Sequence, residues 1–85
     1  MKYHLVREEE GKESFSYKIA DENGISFESV EARYIDGHYA LYTNTECGVH
    51  IFGIEDSSGI ADERLKEKAS ELIKKVKARS EHIAH

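Results

Sequence analysis

Val49-His50-Ile51-Phe52-Gly53-Ile54-Glu55-Asp56-Ser57-Ser58-Gly59-Ile60-Ala61-Asp62-Glu63-Arg64-Leu65 contains the point at which the hydrophobic period of this chain changes. Before it, apolar residues come in short segments punctuated by Asn23-Gly24, Asp36-Gly37 and Cys47-Gly48, the spacing of strands and turns. After it the period is helical. Leu65, Ala69, Leu72, Val76 and Ile83, with Ile73 beside them, form one apolar stripe about 100° wide. Asp62, Glu63 and Glu67 lie near the start of that helix, and Lys74, Lys75, Lys77 and Arg79 crowd its far half, so its charges complement the helix dipole. Ser57-Ser58-Gly59 supplies the break and capping groups, with Asp62 as an alternative cap.

Working back from this point, the strands follow from alternation and turn chemistry. Tyr3 to Arg7 reads as a first strand, and Phe15, Tyr17 and Ile19 alternate with polar residues in a second. A five-residue loop over Glu8 to Lys12 sets Leu5 opposite Phe15 and Tyr3 opposite Tyr17. A three-residue loop, Glu22-Asn23-Gly24, sets Ile19 opposite Phe27 and Lys18 opposite Glu28. In the third strand Ile25 and Phe27 share one parity while Val30, Ala32 and Tyr34 share the other. A β-bulge near Glu28-Ser29 keeps all five on the core side. A two-residue turn at Asp36-Gly37 pairs Tyr34 with Tyr39, Ala32 with Leu41 and Val30 with Thr43. A looser connection over Asn44 to Gly48 leads into a fifth strand whose apolar residues fall on both parities.

The predicted architecture is α+β: a five-stranded antiparallel meander over residues 1–56, then one C-terminal amphipathic helix over 60–83 packed on one face, in a single domain. The other face is then uncovered. Its first strands are polar, but Ile35, Ala40, Tyr42, Phe52 and Ile54 form an apolar patch beside an unprotected edge, a combination that monomeric proteins avoid. Closure of the fifth strand on the first, pairing with a second copy, or binding of another protein would each resolve this. Self-association as a homodimer through the fifth strand and the open face is the expectation. The contact residues are Ile35, His38, Tyr42, His50, Phe52 and Ile54, with Glu31, Arg33 and Glu46 as a polar rim.

Composition bounds the remaining readings. The chain has 85 residues, 39% apolar and 34% charged, with a net charge of −5 and no apolar run long enough to span a membrane. Its start lacks the apolar stretch of a signal peptide, and its one cysteine cannot form an internal disulfide, so a cytoplasmic protein is expected.

Chemistry-bearing motifs are few. Cys47-Gly48-Val49-His50 has the spacing of half a zinc site, to which His38 and His4 would have to be added, but a closed site needs four ligands and the chain has one thiol. Cys47 with His50 and Asp56 or Glu46 supplies the residue types of a thiol enzyme, although nothing in the spacing makes them meet. His82 and His85 read as an incidental surface pair. There is no glycine-rich phosphate loop, zinc-protease helix or dinucleotide fingerprint, so no cofactor, metal or catalytic residue is assigned.

Residues 1–59 carry twelve acids and five bases, and residues 60–85 five acids and seven bases. The basic half of the helix makes nucleic-acid binding an alternative, but the overall acidity opposes it and the cluster sits apart from Tyr42 and Phe52. A small protein-binding or regulatory module is the primary reading. The nucleic-acid reading ranks behind it, and a thiol or metal-dependent enzyme centred on Cys47 and His50 ranks last.

Overall fold

Asp36 and Gly37 have φ of 51° and 84°, the two positive values that a type I′ turn demands. That turn fixes the centre of the sheet. Tyr34 pairs with Tyr39, Ala32 with Leu41 and Val30 with Thr43, as the alternation on either side predicts.

The computed structural model describes residues 2–11 and 13–83, the side chains of Phe27 and of 79–83 excepted. Five antiparallel strands, β1 (Tyr3–Glu10), β2 (Ser14–Asp21), β3 (Ser26–Ile35), β4 (His38–Thr45) and β5 (Gly48–Glu55), form one open sheet in sequence order. The helix α1 (Ser58–Ile83) packs on one face. It begins two residues before the expected Ile60. Ser57 caps it: its Oγ accepts from the Ile60 N–H at 3.4 Å and its carbonyl from the Ala61 N–H at 2.9 Å, so Asp62 is free for another task.

Three expected connections differ. β1 runs on through Glu8-Glu9-Glu10, so Leu5 pairs with Ile19 and Tyr3 with Asp21, not with Phe15 and Tyr17. The shift is an even number of residues and keeps both on the helix side. Between β2 and β3, the Asp21 carboxylate accepts from the Asn23 and Ile25 N–H groups, which holds Ile25 in the turn at 62% exposure rather than in the core. The bulge does occur, but at Phe27, because Ile19 pairs with Glu28 and Ala20 with Ser26. Glu28 therefore faces the helix, 6% exposed, and Lys18 reaches back to Glu8 at 3.1 Å. The expected core position of Phe27 lies outside the described residues, as does that of Ile83. Lastly, Thr45 pairs with Gly48 across a tight turn at Glu46-Cys47, not a loose connection.

The core lies between sheet and helix. Phe15, Tyr17 and Ile19 of β2, Val30 and Ala32 of β3 and Leu41 of β4 meet Ala61, Leu65, Ala69 and Leu72 of α1. Ile19, Val30, Leu41 and Leu65 are fully buried, each contributing about 1.5–3 kcal/mol. The alanines at 61 and 69 flank Leu65 and let the helix axis approach the sheet.

One polar cluster pins helix to sheet. The Tyr17 hydroxyl donates to Asp62 Oδ1, and Arg7 Nη1 donates to both, at 2.7 Å each. Lys66 Nζ lies 3.1 Å from Asp62 Oδ2. Burial pushes the Asp62 carboxyl up, but the hydrogen bonds from Tyr17, Lys66 and Arg7 outweigh it and hold the group below its ordinary 3.8. A carboxylate with a depressed folded value stabilises the fold fully above its unfolded value and loses that contribution as pH falls through the folded one. Between about pH 5 and pH 2 the melting temperature of wild type is therefore expected to fall more steeply than that of Asp62→Asn. Parallel slopes in a thermal melt series would refute this.

Candidate functional site

Because Tyr39, Leu41 and Thr43 face the helix, their neighbours His38, Ala40, Tyr42 and Asn44 face outward. The pairings then fix the whole outer face. One row reads Ile54, Ala40, Arg33; the next Ile51, Tyr42, Glu31, Ser16, Glu8; the third Val49, Asn44, Ser29, Lys18, Val6. The character of the face changes across the sheet, from aliphatic along β5 to charged on β1.

The β5 composition of this face comes from a bulge. Tyr42 pairs with Ile51 but Leu41 pairs with Gly53, so Phe52 is an extra residue and the strand changes phase there. Ile51 and Ile54 emerge on the open face at 55% and 61% exposure, beside Val49 at 59%. Phe52 turns the other way and packs against the core.

The helix holds the bulge in place. Arg64 Nη2 donates to the Phe52 carbonyl at 3.3 Å, Nη1 donates to Glu55, and the guanidinium carbon lies 5.8 Å from the Phe52 ring centre. Lys68 Nζ lies 5.5 Å from the same ring. Glycine at 53 makes room, since a Cβ there would fall 2.4 Å from Arg64 Nη1. Any side chain at 53 would displace the guanidinium.

Of the six expected contact residues, the sheet brings Ile35, His38, Tyr42 and Ile54 to the open face. Phe52 and His50 are corrections. Phe52 is in the core layer for the reason just given. His50 pairs with Thr43 on the helix side, and its Nε2 lies 3.3 Å from the Cys47 carbonyl oxygen. Val49 and Ile51 take their places. The signal for them was the pair Ile51 and Ile54 at an odd spacing around a glycine, a mark of a bulge.

Polar groups at the rim are satisfied locally. Arg33 Nε lies 2.6 Å from Glu31 Oε1 and its guanidinium carbon 5.3 Å from the Tyr42 ring centre; the Glu31 hydrogen bond holds the guanidinium above its ordinary value. His38 Nδ1 bonds Asp56. Glu46 is exposed in the β4–β5 turn, at the sheet end away from Arg33 and Ile54.

The chemical candidates do not assemble. Among the described residues no group of three or more His, Cys, Asp or Glu side chains could hold a metal ion. The His50 ring meets the Cys47 backbone, and Cys47 is exposed. Lys74, Lys75 and Lys77 are exposed on the helix, across the sheet from Tyr42, while His82, His85 and the side chain of Arg79 lie outside the described residues. A cleft of about 420 Å³ between the β4–β5 turn and the helix is lined by Glu28, Thr45, Glu46, Cys47, Leu72, Lys75 and Ala78. No described helix is long and apolar enough to cross a membrane. Compared with known proteins, the chain matches no family model, no curated protein and no solved structure.

Proposed function

We propose that this chain is a small cytoplasmic protein-binding module that self-associates as a homodimer through β5 and the open face of its sheet. One observation carries the reading. Of the eight large apolar side chains left exposed among the described residues, Val6, Ile35, Val49, Ile51 and Ile54 all project from the face that the helix leaves bare, three of them from one edge strand. Exposed aliphatics scattered singly need no explanation; a column of three at a sheet edge does.

A second copy suits this surface. On this face Arg33 and Glu31 neutralise one another, the exposed Asp56 beside Ile54 is bonded to His38, and the acidic run Glu8-Glu9-Glu10 lies on the far strand, so the aliphatic columns of two copies can meet with each neighbouring charge already partnered within its own chain.

The test is solution mass by light scattering coupled to size exclusion, over a concentration series, for wild type and Ile54→Glu. Wild type is expected to rise from 9.7 kDa toward twice that value, and the variant to stay at one chain's mass with an unchanged circular dichroism spectrum. A wild type that remains monomeric up to about millimolar concentration, the weak limit of specific binding, would overturn the reading.

A further inference from the structure

Resting on that reading, we infer that the two copies meet face to face, sheet on sheet over the outer surfaces of β4 and β5, and that the β5 edge is closed to strand pairing. Two-fold pairing of edge strands into one continuous sheet needs a regular row of free backbone groups along β5. The structure does not offer one. The bulge at Phe52 interrupts the row at its midpoint, and the Phe52 carbonyl already accepts from Arg64. Arg64 is itself anchored to Glu55, so the helix guards the edge with a side chain held at both ends. Bulges that twist an edge strand out of register are a recurrent protection against edge-to-edge association.

The open face has no such guard. Ile51 and Ile54 stand beside Tyr42 and Ala40 in adjacent rows, and Ala40, 9% exposed, forms a low floor between Ile54 and Arg33. The second copy's isoleucines can enter over that floor. A two-fold axis parallel to the strands and between the two faces places β4 and β5 of one copy over those of the other. The charged β1 to β3 portions then point outward on opposite sides, which keeps Glu8 and Glu10 of the two copies apart. With two eight-residue strands about 4.8 Å apart and a rise of about 3.3 Å per residue, the overlap covers on the order of 250 Å² of sheet on each copy, about 500 Å² in total. That is below the ~1,600 Å² of a standard interface, so the dimer is weak and concentration-dependent.

Isotope-filtered NOE spectroscopy on a one-to-one mixture of labelled and unlabelled wild-type chain, at a concentration where mass shows the dimer, tests the geometry. Contacts between Ile51 or Ile54 methyls of one copy and the Tyr42 ring of the other are expected. Tyr42→Lys, which changes β4 and leaves the edge strand intact, is expected to weaken association at least tenfold. Intermolecular backbone contacts between two β5 strands, with Tyr42→Lys dimerising as well as wild type, would overturn the face-packed arrangement and leave self-association standing. A wild type with no dimer at any concentration would overturn both.

Discussion

Leu65→Ala is expected to lower folding stability by about 3–4 kcal/mol and the melting temperature by about 15–25 °C. Leu65 is fully buried, and it is the large side chain through which the first half of the helix meets Val30 and Leu41 in the core cluster. Its neighbours on the helix stripe are Ala61 and Ala69, which have no length with which to fill a hole, and the sheet below is fixed by paired strands. The cavity would therefore stay open, which adds a cavity cost to the lost transfer energy and places the loss well inside the range for leucine truncations. A domain of this size has a total stability on the order of 5–10 kcal/mol, so such a variant keeps little reserve at 37 °C. Thermal and urea unfolding followed by circular dichroism would show it. A loss under about 1 kcal/mol would mean that the helix does not rest on the sheet through this residue.

The second large effect comes from two adjacent residues with opposite outcomes. Phe52→Ala is expected to cost about 2 kcal/mol of folding stability, because it removes a half-buried ring packed against the core and under Arg64 and Lys68. Its dimer dissociation constant, measured where the variant is folded, is expected to stay within a factor of about three of wild type, under about 0.7 kcal/mol. Ile51→Ala is expected to do the reverse, with stability within about 0.5 kcal/mol and association weakened about tenfold. Urea titration and sedimentation on both variants separate the two roles. If Ile51→Ala unfolds easily and Phe52→Ala does not, the phase of β5 is the opposite of the one described.

That pair marks the limit of what the sequence discloses. The β3–β4 hairpin is legible because Asp36-Gly37 sits between two alternating runs whose only consistent pairing is the observed one. The helix is legible from Leu65, Ala69 and Leu72, and among the described residues Ala61, one turn earlier, is the core position that the stripe begun at Leu65 leaves out. Strand β1 reads short because three consecutive glutamates resemble a loop, whereas an edge strand tolerates them and uses their charge to discourage unwanted pairing. The phase of β5 depends on Arg64 reaching the Phe52 carbonyl from twelve residues away, and the task of Asp62 depends on Tyr17, forty-five residues away. Period and propensity describe neighbours along the chain, and contacts such as these arise only after the helix has docked. The open-face positions of Ile35, His38, Tyr42 and Ile54 are thus legible in the sequence, while those of His50 and Phe52 depend on a phase that the docked helix decides.

The order of the elements also has a consequence for how the chain is made. Every strand pairs with the next one in sequence, so each hairpin can zip as soon as its second strand leaves the ribosome, with loop closures of only a few residues. Nothing in the meander, however, can cover Ile19, Val30 and Leu41 until residues 61–72 have been translated. Until then the nascent sheet exposes two sticky sides instead of one, and the helix, synthesised after the sheet, decides which of them the mature protein keeps.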